Sequence, residues 1–147
     1  MNVKMKKVEA AYIAGIMDGE GCFTIVKSKA ENTPIKTQYG IRVEFCMCDK
    51  GPIDLIAKLF ERPVSIRNLK SGRTGYMVNL HSTKAASFIK VVLPYLRGKR
   101  EQAILLLTIF EKHLPGRGKM HTEASVAAIE ALKVELYNLK RPHLLRC

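Results

Sequence analysis

The sequence predicts an α+β protein with the element order αββαββα, in which helices back a four-stranded antiparallel sheet and additional helices follow at the C-terminal end. Apolar residues alternate with a period of two in two pairs of neighbouring segments, which predicts two hairpins. Between and after these pairs, apolar residues recur at helical spacing. The 147 residues, of which 47% are hydrophobic, suffice for one well-packed core, so residues 1–147 are predicted to form a single domain.

A first helix is predicted over Val8–Asp18 from its apolar stripe at helical spacing. Ala11, Gly15 and Gly19 form a second stripe of small residues on another side of this helix. A glycine inside a helix costs about 1 kcal/mol relative to Ala, so the stripe needs a compensating contact. Small residues four apart let another helix come very close. We therefore expect Ala11, Gly15 and Gly19 to form a dimer interface.

Two hairpins follow the first helix. Their strands are predicted at Phe23–Ser28 and Ile41–Cys46, and at Val64–Lys70 and Tyr76–His81. The first hairpin is connected by a polar segment at residues 29–37, and the second turns at residues 71–75. Ile66 and Leu69 have opposite parity, so burying both would require a β-bulge.

The remaining helices are predicted at Ile53–Phe60, Thr83–Leu93, Arg100–Lys112 and Thr122–Leu139. Packed on one side of the sheet, they leave its other face, which alternates polar and basic, uncovered. Strands fit the major groove of a nucleic-acid duplex, and Arg, Lys, Asn and Gln read base edges there. The predicted DNA contacts on the two hairpins are Thr24, Val26, Ser28, Gln38, Arg42, Glu44, Asn68, Lys70, Arg73, Met77 and Asn79. Taken alone, this pattern fits an ordinary solvated face equally well.

The charge favours a polyanionic partner, because 25 Lys and Arg residues against 13 Asp and Glu residues give a formal net charge of +12. An anionic membrane is the rival, but no amphipathic helix carries a continuous basic face. The longest apolar stretch, Ala103–Phe110, is far shorter than the roughly 20 residues that span a bilayer. With no signal-peptide pattern, the protein is expected inside the cell, in the cytoplasm or an organelle matrix, and not secreted.

The cysteines and histidines show no spacing typical of a metal site. Four sparse cysteines suit a reducing compartment better than a disulfide framework. Cys46 and Cys48 suggest zinc only weakly, since no second Cys or His pair follows at ligand spacing. Two small residues on one strand face, and histidines in surface or capping roles, are the favoured interpretations.

Asp18-Gly19-Glu20 falls where the first helix ends. Glu20 and the free carbonyl of Gly19 would converge at the negative end of the helix dipole, where hard oxygen ligands suit Mg²⁺. One carboxylate is too few for a nuclease site. Two copies related by a two-fold axis would supply two.

The stretch Ala11–Phe23, AYIAGIMDGEGCF, resembles the LAGLIDADG motif of homing endonucleases, with Glu20 at the position of the catalytic acid. The resemblance extends over essentially the whole chain, including the segment Val43–Phe60 and the basic turn Pro94–Ala103. It implies an intron-encoded endonuclease that makes double-strand cuts in long pseudo-palindromic DNA with Mg²⁺ or Mn²⁺. The motif occurs once in this chain, which in the family implies a homodimer.

The resemblance also implies roles for individual residues. Glu20 would bind the catalytic metal ions, Gly19 would contribute its carbonyl, and Lys99 would match the active-site lysine. Asp18 would be structural, closing the helix end. Cys48 stands about where many members carry Gln or another polar residue, which leaves its catalytic role of activating water unfilled.

That role would otherwise shift to Asp49 or Lys50. The family scaffold also serves as an RNA-splicing maturase and as a non-catalytic DNA-binding module. The presence of Glu20 favours an enzyme, and RNA is an expected partner only of a maturase, for which the basic tail Lys140–Arg146 is the candidate surface. A solvated terminus is the favoured interpretation of that tail. A structural RNA-binding protein would explain the charge and leave Gly15, Gly19 and Glu20 without a purpose.

Overall fold

The computed structural model describes residues 3–116 and 119–141. The helices in this part of the chain are α1 (Lys7–Glu20), α2 (Lys50–Leu59), α3 (Ser82–Val92), α4 (Arg100–Thr108) and α5 (Glu123–Leu139). The strands are β1 (Gly21–Lys29), β2 (Thr37–Met47), β3 (Ser65–Asn68) and β4 (Thr74–His81). A 3₁₀ turn follows α3 at Leu93–Tyr95, and a π-helical turn follows α4 at Ile109–His113. The predicted αββαββα order with additional C-terminal helices is confirmed.

The four strands form one antiparallel sheet in the order β1-β2-β4-β3. Alternate residues are buried from Gly21 to Ile25 in β1 and from Tyr39 to Phe45 in β2, and the predicted pairing is confirmed by the register Phe23↔Val43. Helices α1–α4 contact the sheet, and α5 packs on α4. The rings of Phe45 and Phe88 meet edge to face, 5.5 Å apart between centroids. Burying a side chain of this size contributes about 1.5–3 kcal/mol, so this face supplies the core.

Helix α1 runs two residues beyond its predicted end, and β1 begins at the next residue, Gly21. Gly21 has φ −88°, so it is not there to adopt a left-handed conformation. A Cβ on Gly21 would lie 3.0 Å from the Cα of Met17 and closer still to its side chain. The sharp change from helix to strand therefore requires glycine because the two backbones approach closely.

The second hairpin differs from its prediction. Strand β3 ends at Asn68, and the turn comprises residues 69–73, where Leu69 N–H donates to the carbonyl of Arg73. No bulge buries both apolar residues, because Ile66 remains 71% exposed at the sheet edge. The register Arg67↔Gly75 places Arg67 on the uncovered face, and alternation places Asn68 on the opposite face.

Helix α4 was predicted to reach Lys112, but regular α-helix ends at Thr108 and the chain continues as the π-helical turn. Helix α5 is tied to the first hairpin, since the Tyr39 hydroxyl donates to the carboxylate of Glu130. Lys27 Nζ donates to the same carboxylate at 2.8 Å. Among the described residues, no helix is long and apolar enough to cross a membrane.

Candidate active site and nucleic-acid interface

Glu20 and Gly19 lie at the exposed C-terminal end of α1. Unpaired carbonyls give this end of a helix partial negative charge, and the Glu20 carboxylate adds to it. The described residues contain no group of three or more His, Cys, Asp or Glu side chains that could hold a metal ion. The last residue of α1 thus offers one carboxylate beside the backbone carbonyls of the helix end.

Asp18 ties the basic turn to α1. Its Oδ2 accepts a hydrogen bond from Arg97 N–H, and its Oδ1 accepts one from Lys99 N–H, both at 2.9 Å. Asp18 was expected to be structural, closing the helix end, and its carboxylate there holds backbone groups 79 and 81 positions away. Charge-assisted bonds of this kind are stronger than neutral ones, so the turn is firmly placed.

The side chain of Lys99 binds at the C-terminal end of α1. Its Nζ donates to the carbonyls of Met17 and Gly21, at 2.9 Å and 2.5 Å, which satisfies helix-end acceptors with a cation. Burial is the main cause that lowers the pKa of Lys99, and the nearby charge of Lys140 lowers it further. Glu20 raises the pKa of Lys99 electrostatically. Lys99 therefore lies at the end of α1 that carries Glu20.

Cys48 is exposed in the bend between β2 and α2. Because Gly21 pairs with Phe45, the end of β2 extends past the start of β1, toward the end of the sheet where α1 terminates. Asp49 and Lys50, the alternatives to Cys48 for activating water, make other contacts. Asp49 Oδ1 caps α2 by accepting from Gly51 N–H at 3.1 Å, and Lys50 pairs with Asp54 at 2.6 Å.

The uncovered face carries most of the predicted DNA contacts in register. Its cross-strand pairs are Thr24↔Arg42, Val26↔Gly40, Ser28↔Gln38, Glu44↔Asn79 and Cys46↔Met77. Lys70 and Arg73 lie in the turn between β3 and β4, and Asn68 lies on the opposite face. Sequence reasoning missed Ser65, Arg67 and His81, which the strand register places on this face. The period of two would have found them once the turn was placed at residues 69–73.

Two polar atoms on this face are buried without a partner among the described residues, Arg42 Nε and Asn79 Oδ1. Arg42 also makes an ion pair with Glu44 at 3.6 Å. His81, which pairs with Arg42 across the strands, has its pKa lowered by burial and by the positive charges of Arg42 and Arg62. This part of the sheet is thus electropositive and has unused hydrogen-bonding capacity.

The small-residue stripe of α1 is uncovered. Ala11, Gly15 and Gly19 are exposed, and a Cβ added to either glycine would meet nothing within 4 Å. The apolar Tyr12 is 51% exposed on the same helix. A cavity of about 520 Å³ borders the stripe between Ala11, Gly15 and residues 94–97. Contacts within the described chain therefore give no reason for glycine at positions 15 and 19.

The basic tail contributes a lysine to this region. Lys140 is half-buried, and its Nζ lies 3.4 Å from Cys22 Sγ. Arg141 lies over the ring of Tyr137, 4.1 Å from the centroid. The rest of the tail, residues 142–147, lies outside the described residues. A solvated terminus was favoured for the whole tail, and for Lys140 this is wrong because its side chain is half-buried and reaches Cys22 at the start of β1.

These features define a class of protein: an α+β domain that combines an uncovered antiparallel sheet with an acidic helix terminus at one end of it. The chain belongs to the LAGLIDADG endonuclease family, whose model matches residues 13–110. No curated protein matches the chain.

Solved structures of homing endonucleases share the fold. I-CvuI, in complex with an I-CreI target, is 24% identical with a TM-score of 0.69, over 90% of this chain and 82% of that chain. The archaeal intron-encoded I-Vdi141I, complexed with DNA, is 12% identical with a TM-score of 0.70, over 92% and 86%. I-LtrWI, bound to target DNA, is 22% identical with a TM-score of 0.64, over 88% of this chain and 45% of that chain.

Proposed function

We propose that this protein is a homing endonuclease that recognises a long pseudo-palindromic site in double-stranded DNA and cuts both strands as a homodimer, by divalent-metal-dependent phosphodiester hydrolysis. One observation carries the proposal: Glu20 is exposed at the last residue of α1, immediately before the first strand of the uncovered sheet. A carboxylate in this position lies at the end of the surface on which DNA would bind. Membership of the LAGLIDADG endonuclease family supports the same conclusion.

The uncovered face would read base edges in the major groove. Arg42 Nε and Asn79 Oδ1 are a buried donor and a buried acceptor with no partner in the described part of the chain, and such atoms each cost about 1–3 kcal/mol. Once these side chains turn outward, base edges can supply the missing partners, since Arg pairs with guanine and Asn with adenine. The net charge of +12 would supply the sequence-independent part of the affinity.

A second copy would complete the active site. Each chain offers one exposed carboxylate at Glu20, and a two-fold axis beside α1 would bring two together. The open space over Gly15 and Gly19 supports this arrangement, because small residues permit a helix to approach closely. The match to only 45% of the I-LtrWI chain also supports a unit that two copies complete.

The residues at the end of α1 fit a hard divalent cation. The Glu20 carboxylate and the Gly19 carbonyl are exposed oxygen donors, the type that Mg²⁺ and Mn²⁺ prefer. These two groups from both subunits would hold the ions. When bound, Mg²⁺ would supply Lewis-acid stabilisation of charge on the scissile phosphate.

Lys99 would bind an oxygen of that phosphate. Two of its three N–H groups donate to the carbonyls of Met17 and Gly21, which orients the ammonium and leaves one N–H for substrate. Asp18 would hold the backbone of Lys99 in place during the reaction. Cys48 would lie near the attacking water, but a thiol is only a weak hydrogen-bonding group.

Cys48 is the observation that favours a second candidate, a sequence-specific DNA-binding protein or maturase without nuclease activity. One oxygen of Asp49 caps α2 and Lys50 pairs with Asp54, so the stronger polar groups of this segment already have other partners.

A selection from a randomised duplex-DNA library tests the proposal. Wild type and Glu20→Gln are incubated with the library in Mg²⁺, and cut and retained duplexes are sequenced separately. We expect wild type to release ends from a long, near-palindromic consensus, and Glu20→Gln to retain that consensus without cutting it. The amide keeps the shape of Glu20 and removes the charge that would hold the metal.

Glu135→Gln, which removes an exposed carboxylate of α5, is the matched control and should cut like wild type. If both wild type and Glu20→Gln retain one consensus and neither protein cuts it, the second candidate is established instead. Retention of no duplex by wild type would contradict DNA binding altogether.

A further inference from the structure

The end of α5 brings a second ammonium group to the active-site region. Lys140 Nζ lies 3.4 Å from the thiol of Cys22, and Lys99 Nζ is bonded to the carbonyl of the preceding residue, Gly21. Both lysines line one cavity of about 330 Å³, together with Asp18, Gln102 and the start of β1. The two cations therefore face a common space beside the end of α1.

The cavity has an excess of positive charge. Asp18 is the acidic side chain among the described residues that line it, and both of its oxygens already accept backbone hydrogen bonds. The Lys140 ammonium carries three donors, and its hydrogen bond in this cavity goes to a thiol, which is a weak acceptor. Two ammonium groups that share a half-buried cavity repel each other unless an anion lies between them.

The position of Lys140 does not follow from the general basicity of the tail. Arg141, the next residue, lies on the ring of Tyr137 of the preceding helical turn. Lys140, by contrast, extends to a residue 118 positions away at the start of β1. Ordering a long lysine side chain costs conformational entropy, which a weak hydrogen bond to a thiol alone does not offset.

We propose that Lys140 binds a backbone phosphate of the DNA adjacent to the scissile bond, alongside Lys99. This inference rests on the proposed endonuclease function and deepens it, since it adds a phosphate-binding residue to the site. A phosphodiester carries one negative charge, so it would relieve the repulsion between the two ammonium groups, and its oxygens would accept N–H groups of Lys140. Lys140 is then a residue that touches substrate, contributed by the C-terminal end of the fold.

The test compares Lys140→Met, which keeps the length and apolar stem, with Lys140→Arg, which keeps the charge. The probe is the duplex cut by wild type in the library selection. In single-turnover cleavage with Mg²⁺, we expect Lys140→Met to lose about 10- to 100-fold in rate and Lys140→Arg to recover most of it. Lys133→Met, the same charge change two turns earlier on α5, should cut like wild type.

DNA binding measured in Ca²⁺ distinguishes a phosphate contact from a merely structural role, which would leave the salt dependence of Kd unchanged. The slope of log Kd against log salt concentration should fall by about one for each phosphate that the Lys140 ammonium no longer neutralises. In duplexes with single phosphates replaced by neutral methylphosphonates, one position near the cut should abolish the difference between wild type and Lys140→Met. Equal unfolding midpoints of the two proteins confirm that Lys140→Met is folded.

Equal cleavage rates and salt slopes for wild type and Lys140→Met would overturn the inference, as would a difference that no single methylphosphonate removes. If wild type retains a consensus duplex without cutting it, the endonuclease proposal fails, and the salt slopes on that duplex still decide whether Lys140 contacts phosphate. If wild type retains no duplex, both proposals are overturned.

Discussion

Asp18 and Lys99 are joined at two levels: the Asp18 carboxylate accepts the backbone N–H of Lys99 at 2.9 Å, and the Lys99 ammonium returns to the carbonyl of Met17, the residue before Asp18. One acidic side chain thus fixes the backbone of the lysine that closes the end of α1. The last turn of α1 and the basic turn consequently behave as one unit.

Asp18→Asn should loosen this unit. The amide has one carbonyl oxygen to accept hydrogen bonds, so one of the backbone donors of Arg97 and Lys99 loses its acceptor. We expect the free energy of unfolding to fall by about 1–3 kcal/mol and cleavage to fall more than DNA binding. Urea unfolding and single-turnover cleavage measure the two effects. Asp54→Asn, which breaks only an exposed pair with Lys50, should change neither by much.

Gly21→Ala should destabilise the fold because its Cβ would lie 3.0 Å from the Cα of Met17. A backbone atom cannot move aside as a flexible side chain can, and overpacking of this kind costs about 1–3 kcal/mol. Gly40→Ala, in β2, is the control, since its Cβ would meet nothing within 4 Å. Equal urea midpoints for Gly21→Ala and wild type would contradict this prediction, because they would mean that α1 and β1 can move apart at this point without loss of stability.

Gly15→Leu should weaken the proposed dimer. The added side chain would enter open space in a single chain, so the fold of that chain should survive. In the dimer it would hold the two α1 helices apart. Sedimentation equilibrium should show a shift from dimer to monomer. The control is Ala131→Leu, which adds bulk to an exposed position of α5. A dimer of Gly15→Leu with unchanged affinity would rule out this stripe as the interface.

His121 should make stability depend on pH. Its Nε2 accepts the N–H of Tyr39 at 3.3 Å, so the folded state requires neutral imidazole, and burial lowers the pKa of His121 below its usual 6.5. In the unfolded chain, the histidine takes up a proton as pH falls through about 6.5, whereas the folded protein resists this. Stability should therefore be full above that pH and decline as pH falls below it.

Chemical unfolding of wild type and His121→Gln between about pH 7.5 and pH 5 measures this dependence. The variant should be less stable at the higher pH and should show a flatter profile. Glu130, whose pKa is lowered chiefly by its hydrogen bond to Lys27, loses its contribution only near or below the usual carboxyl range. Parallel profiles for the two proteins would assign the pH dependence to other groups.

Local patterns were sufficient where the chain alternates over a long segment. The buried face of β1 and β2, with Phe23 opposite Val43, follows from the period of two because each strand has one face in the core. The short strand β3 lies within its predicted segment, but the face predicted for Asn68 was wrong, since the register places Arg67 on the uncovered face and Ile66 is apolar but exposed at an edge. Four residues with no buried face carry too little periodic signal to set a register.

The sequence by itself determined the fold class, the faces of the long strands and the position of Glu20 at the end of the first helix. Each of these depends on residues close together in the chain, where helix and strand periods act. Only the tertiary structure decided that Asp18 holds the turn before α4, that Gly21 must lack a side chain, and that Lys140 reaches Cys22. These contacts depend on how elements pack across a shared core, and short-range periodicity contains no information about that packing.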